Sequence, residues 1–362
     1  MTNILPPIKA PTVADVARAA NVSKAQAARA LGGYGAVSEE VQIRVNRAAA
    51  ELGYRPNELA RSMNTGRSNT IGVIVGDIEN PHFGLALRGM ADVARLAGYH
   101  LLLSNSDEQL PAEQDAVHVM LEKRVDGIIV APCSSAADDN AHLAQILAAG
   151  RALVLFDRAV EGLEVEAICA EFTRPAREAT RQLLAAGHRR IAYITSMRCA
   201  EPWRYPEDFG LTPVAQRVGG MEQAFTDAGL PFDPTLIKAN ALDDASIARI
   251  VDDLWKLAAP PTALIASDSL IAMSLLRELS QRGLRIPQDL SFVMYDNFPW
   301  TEIVNPPLTV VAQPVYEMGR EAARRLIARI KGEETGPMPP FTAELLVRGS
   351  IGGVRDTTFY QK

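Results

Sequence analysis

Apolar positions at helical spacing open the chain. Val13, Val16, Ala17 and Ala20 recur three and four residues apart. Just ahead of them, Thr12 precedes Asp15 by three residues, a hydroxyl and a carboxylate spaced to satisfy the free N–H groups of a helix start. Asn21-Val22 breaks the pattern and Ser23 offers a second N-cap, so a second helix is expected over 24–31, stopping at Gly32-Gly33. A third begins near Ser38-Glu39-Glu40, carries Val41, Val45, Ala48, Ala49 and Leu52 on its inner stripe, and is closed by Gly53. Two short helices joined by a tight turn and braced by a third make a helix-turn-helix. The outward residues of its second helix are Lys24, Ala25, Gln26 and Arg29. In a major groove, Arg29 can pair with guanine, Gln26 bidentately with adenine, and Lys24 with guanine or a phosphate. By spacing alone, these residues are equally the solvated face of an ordinary three-helix bundle.

From Thr70 the pattern becomes strand–helix alternation. Apolar strand-like runs at 71–75, 100–104, 127–131 and 152–156 are separated by helical stretches at 84–97, 111–124 and 140–149. A second series has strands at 190–195, 262–266 and 290–295, with helices near 174–186, 218–228, 245–257 and 270–282. Nearly all-apolar strands alternating with helices imply parallel sheets covered on both faces. Two series imply two similar lobes, with a ligand cleft at the carboxyl ends of their strands.

Charge changes the picture once the chain is divided. Residues 1–69 hold nine Lys/Arg and five Asp/Glu, a net +4, whereas the remainder carries −10. A basic head on an acidic body is expected to meet a polyanion through the head alone. The cysteines, Cys133, Cys169 and Cys199, are odd in number and never paired as Cys-x-x-Cys, which speaks against a disulfide framework or structural zinc and for a reducing compartment. No apolar run reaches the length of a membrane span, and residues 1–10 do not read as a secretory signal, so a cytoplasmic location is expected. A P-loop, a Gly-x-Ser-x-Gly elbow and His-Glu-x-x-His are all missing, and Gly32-Gly-Tyr-Gly35 lies between helices rather than after a strand. Neither an enzyme nor a cofactor or metal site is expected.

A resemblance decides between the readings of the head. The string Glu51-Leu-Gly-Tyr-Arg-Pro-Asn-Glu-Leu-Ala-Arg-Ser-Met63 resembles the hinge region of the LacI/GalR repressor family, and 12–31 resembles its helix-turn-helix. Further marker strings are Gly187-His-Arg-Arg-Ile191, Pro260-Pro-Thr-Ala-Leu-Ile-Ala-Ser-Asp268, Tyr295-Asp-Asn297 and the run 306–319. The resemblance covers about residues 11 to 351. It implies an α/β chain with an all-α helix-turn-helix domain over 1–56, a hinge helix and linker over 57–69, and a two-lobed periplasmic-binding-protein-like parallel α/β sensor over 70–362. The first lobe is expected at about 70–170 plus 298–333 and the second at about 171–297 plus 334–362. Three stretches of chain would cross between them.

The DNA-facing set this implies is Thr12, Ser23, Lys24, Ala25, Gln26 and Arg29, with Asn57, Ala60 and Met63 from the hinge. Met63 stands where the family usually has a Leu that wedges into a minor-groove step, and it remains an apolar wedge. Ala25 can at most touch a thymine methyl, and Ala28 replaces a Ser that contacts phosphate. The implied effector set is Asn80, His82, Phe83, Asp157, Arg158, Arg217, Ser267, Asp268, Asp296 and Gln313. His82 replaces a common aromatic ring, Ser267 a frequent Asn, and Ala170-Glu171 the usual Asp-Asn. The stretch 197–216, with Trp203, Tyr205 and Phe209, is longer than usual and reads as a loop over the cleft mouth.

The expected function is therefore a sequence-specific transcriptional regulator, by family default a repressor. It would bind a palindromic operator as a homodimer, controlled by a monosaccharide or related polyol or sugar acid in the interlobe cleft. The tail after Gly353 has no heptads, so no tetramerising coil is expected. The alternative is a sugar-binding protein without a regulatory role, which would have no use for residues 11–63.

Overall fold

A computed structural model describes residues 11–54, 66–200, 202–210 and 212–354. The chain divides into a small helical unit ending at Thr70, joined by residues 124–126, and an α/β unit made of the rest.

The helical unit is built from α1 (Val13–Ala19), α2 (Lys24–Gly32) and α3 (Glu39–Glu51). Each start is capped as the residues dictate. Thr12 and Asp15 form a reciprocal capping box on α1, Ser23 and Gln26 do the same on α2, and Ser38 caps α3. Asn21 takes φ 51° in the turn between α1 and α2, a left-handed backbone that Asn tolerates. The core uses small side chains, chiefly Val16, Ala17, Ala20, Ala27, Ala30, Val45, Ala48 and Ala49, so the helices approach closely. Gln42 of α3 donates to the Ala30 carbonyl at 2.9 Å and satisfies an orphan acceptor near the end of α2.

The α/β unit contains β1 (Thr70–Val75), α4 (Pro81–Leu96), β2 (His100–Asn105), α5 (Leu110–Glu122), β3 (Gly127–Val130), α6 (Ala141–Ala148), β4 (Ala152–Phe156), β5 (Ala167–Ile168) and β6 (Ala170–Glu171). There follow α7 (Thr173–Ala185), β7 (Ile191–Ile194), α8 (Pro213–Asp227), β8 (Ile237–Lys238), α9 (Asp244–Trp255), β9 (Ala263–Ala266), α10 (Ser269–Gln281) and β10 (Ser291–Tyr295). The chain ends with α11 (Trp300–Ile303), β11 (Thr309–Ala312), α12 (Val315–Lys331), β12 (Phe341–Thr342) and β13 (Glu344–Leu346). Two large sheets result, ordered β2-β1-β3-β4-β5 and β13-β11-β10-β9-β7-β8; strands β1-β3-β4-β5 and β11-β10-β9-β7-β8 run parallel, and β13 is antiparallel to β11. Almost every residue of the central strands is buried, as parallel strands covered on both faces require.

The lobe boundary differs from the expectation. Residues 298–312 stay with the second lobe, because β11 pairs in parallel with β10 in the second sheet. The return to the first lobe begins only with α12, which packs along α4. Gly89 of α4 and Gly319 of α12 meet there so closely that a Cβ on either would fall about 2 Å from a carbonyl oxygen of the other helix, that of Tyr316 or of Ala86. The chain crosses between lobes near β6, between β11 and α12, and again before β13, and the first and last crossings pair as β6 with β12.

Candidate functional site

On α2, Ser23, Lys24 and Ala25 are exposed, while Gln26, Ala28 and Arg29 are half-buried. Gln26 has a second role beside the expected one. Its Oε1 accepts the Ser23 N–H at 3.0 Å, so the acceptor needed for bidentate pairing with adenine already serves the cap. Arg29 donates Nε to the Ala25 carbonyl at 3.3 Å, which aligns its guanidinium along the helix and leaves the terminal nitrogens without partners among the described residues. Thr12 and Ser23 act as caps, and their hydroxyls are engaged. Asn57, Ala60 and Met63 lie outside the described residues.

In the α/β unit, all ten residues of the expected effector set line one cavity of about 500 Å³. Strand ends deliver most of them. Asp157 follows β4 and Asp296 follows β10, each in left-handed backbone at φ 69° and 74°. This uncommon conformation turns both carboxylates into the cavity and is typical of functional positions. Asn80 caps α4 by accepting the His82 N–H at 3.0 Å, so its turn-forming role and its place in the cavity coexist. Phe83 is likewise both core and lining.

These groups are held by one another. Gln313 Nε2 donates to Asp296 Oδ1 at 2.7 Å and faces His82 Nδ1 at 3.2 Å. An amide nitrogen only donates, so with the amide assigned this way Nδ1 accepts and the imidazole proton sits on Nε2, 3.6 Å from Asp157. Arg158 binds Glu108 through two parallel hydrogen bonds of 3.0 and 3.1 Å and reaches Asp157 at 3.4 Å. Arg217 is buried between the rings of Phe172 and Tyr295, its guanidinium carbon 4.2 and 4.1 Å from their centroids, and donates to the Ser267 carbonyl at 2.8 Å. Asp268 caps α10 and accepts the Ser267 hydroxyl. Burial disfavours charge on Asp157, Asp268 and Glu108 alike, with different outcomes. For Asp157, His82, Arg158 and Arg217 outweigh burial and hold the carboxyl below its ordinary range. For Asp268 and Glu108 burial prevails and the carboxyls are pushed up.

His82 Nε2, Arg158 Nε, Arg217 Nε and Gln313 Oε1 are buried with no hydrogen-bond partner among the described residues. Native interiors rarely tolerate this, and here the four converge on one cavity.

Several lining residues escaped the sequence reading: Glu108, Ser134, Glu161, Thr195, Arg198 and Glu207. Glu108 and Ser134 each lie just past a strand, so the strand-end rule would have found them. Glu171 was expected near the rim but instead accepts the Arg174 N–H at the start of α7 and does not line the cavity. The stretch 197–216 does form a cover. Phe209 is fully buried, with Trp203 and Tyr205 ring centroids at 5.5 and 5.3 Å, and 207–210 line the cavity. Gly210, at φ 53° and ψ −153°, touches the first lobe, where an added Cβ would sit 2.4 Å from Ser135 Oγ. That backbone region is essentially reserved for glycine.

Residues 12–57 match the model of bacterial regulatory proteins of the lacI family, and 180–351 match a periplasmic binding protein-like domain. The HTH-type transcriptional repressor CytR of Escherichia coli (strain K12) is 31% identical over 346 residues, spanning 94% of this chain and 96% of the relative. A solved CelR–cellobiose complex is 28% identical with a TM-score of 0.66, covering 94% of this chain and 99% of that one. The lac repressor dimer bound to operator and an anti-inducer shares the fold, with a TM-score of 0.77 at 22% identity over 95% of this chain and the whole of that one. No helix among the described residues is long and apolar enough to cross a membrane. A reciprocally capped helix-turn-helix, a two-lobed α/β unit around a polar cavity, and relatives that are repressors rather than enzymes assign this chain to the LacI family of DNA-binding transcriptional regulators.

Proposed function

We propose that the protein is a cytoplasmic repressor that binds a palindromic operator as a homodimer and responds to a monosaccharide or related polyol held between its lobes. The carrying observation is the unpartnered, buried mixture of donors and acceptors in one cavity: three N–H groups and one carbonyl oxygen among carboxylates. A hydroxyl both donates and accepts, so a polyol can meet each kind, whereas an apolar or flat aromatic ligand leaves most of them unmet. The cellobiose complex of a relative supports a sugar.

Asp157 and Arg158 come from the first lobe, and Arg217, Asp268 and Asp296 from the second, so a ligand touching both favours one lobe arrangement over others. The hinge with Met63 is the segment through which that preference would reach DNA. A single recognition helix reads few base pairs, which is why a symmetric dimer is proposed. Base reading falls on Lys24 and Arg29, since Gln26 is engaged in its cap.

The test is fluorescence anisotropy on the gene's own upstream DNA at several salt concentrations, followed by titration with pentoses, hexoses and nucleobases. A two-fold symmetric site released or tightened by a sugar is the expected result. Arg29→Ala should cost about 1–3 kcal/mol at its own base pair. Uniform weakening on all sequences would make Arg29 a phosphate contact. Failure to bind any symmetric site overturns the regulator reading, and selective binding of a purine overturns the sugar.

A further inference from the structure

The cavity's charge is lopsided beyond what its internal pairing requires. Eight carboxylates line it against three guanidinium groups. The inner acids are held: Glu108 by Arg158, Asp268 by the start of α10, and Asp296 by Gln313. Even with the half-buried Glu108 and Asp268 protonated, acids outnumber guanidinium groups two to one. The excess lies at the mouth, where, against the one exposed guanidinium of Arg198, Glu161 of the first lobe and Glu207 of the covering stretch are both exposed and make no ion pair or side-chain hydrogen bond among the described residues. Asp139 and Asp208 add to it, each accepting an uncharged donor among the described residues, the Ser134 hydroxyl and the main-chain N–H of Arg204. One exposed carboxylate is worth little, but several facing a single concave wall set the sign of its potential. Deeper in, the unpartnered His82 Nε2, with its side chain more than nine-tenths buried, marks where a ligand oxygen is accepted.

Building on the effector reading above, we infer that this cavity selects an aminated polyol, an amino sugar with its ammonium toward Glu161 and Glu207, and rejects anionic ligands such as sugar acids and sugar phosphates. The inner groups take the hydroxyls, and the mouth sets the permitted charge.

Calorimetry on the full-length protein with matched triples tests this: a neutral hexose, its 2-amino-2-deoxy counterpart and its uronic acid, in the gluco, galacto and manno series. The amine is expected to bind at least tenfold more tightly than the acid, with the neutral sugar between. Added salt should weaken the amine and strengthen the acid. In the Glu161→Gln/Glu207→Gln double variant, with thermal unfolding as the folding control, the amine-to-acid ratio should fall to within about threefold. An acid that binds as well as its amine overturns the inference, and a ratio unchanged in the double variant overturns its assignment to these two residues. If no sugar in any series binds, the sugar reading falls by itself. The charge rule is then judged by a nucleoside against its 5′-monophosphate, and a monophosphate that binds as tightly, or binding of neither, overturns it.

Discussion

Asp157 and Asp296 occupy equivalent places in the two lobes. Each is the first residue past a parallel strand, donates its N–H to a neighbouring strand at 2.9 Å, and holds φ near +70°. Their surroundings are unlike. In the first lobe Glu108 depends on one guanidinium, Arg158, which also supports Asp157 together with His82 and, from the other lobe, Arg217. In the second lobe the work is spread over main-chain amides at the start of α10, a glutamine amide, a serine hydroxyl and an arginine stacked between two rings. One backbone device thus carries two electrostatic designs, concentrated in one lobe and distributed in the other. The first should fail sharply on a single substitution, and the second by degrees.

Three experiments break or sharpen that contrast. Arg158→Met should have the largest effect, about 3 kcal/mol by urea denaturation, because it leaves the half-buried Asp157 and Glu108 without this cation. Adding Glu108→Gln should restore much of the loss. Glu108 already titrates above its ordinary value through burial, so the folded variant takes up a proton more readily than the unfolded chain. The deficit of Arg158→Met should therefore shrink as pH falls toward the ordinary glutamate range. Arg217→Met comes next, at about 1.5–3 kcal/mol for a charged hydrogen bond, with the two rings still packed around the new side chain. Equal costs for the two arginines would erase the distinction between the lobes.

The smallest effect belongs to His188, which joins Thr262, Ser291 and Gly352 beneath the second sheet. Burial first, with Arg189 contributing, holds its pKa below 6.5. The neutral ring is the folded form, so its contribution is complete above about pH 6.5 and declines as pH falls below that value. His188→Gln should cost about 1 kcal/mol at neutral pH and flatten that decline in thermal unfolding curves.

Much of this molecule is local and was therefore legible. The capping pairs Thr12/Asp15 and Ser23/Gln26, the apolar strands and most helix positions follow from residues within four of each other. The ten cavity residues came from family resemblance and strand-end logic, and the fold brings all ten together. What stayed hidden depends on distant partners. The run 309–312 is too short to announce a strand until β10 and β13 flank it. The position of Glu108 past β2 follows the strand-end rule, but its pairing with Arg158, fifty residues away, could not be read from the sequence. The second role of Gln26 shows how one side chain can match a base-reading pattern while serving its own helix.

The glycine contact between α4 and α12 has a consequence for synthesis. Residues 81–96 emerge from the ribosome more than two hundred residues before 315–331, yet the two helices close one lobe together. At roughly 5–20 residues per second the nascent first lobe waits ten seconds or more with one flank of its sheet bare. The second lobe already has its strands β7 to β11 by then and lacks only its edge strand β13, whereas the first lobe still lacks a whole helix. A chain that has emerged only to residue 312 would hold a second lobe short of its edge strand beside a first lobe short of a whole helix, and the larger apolar exposure would be on the first.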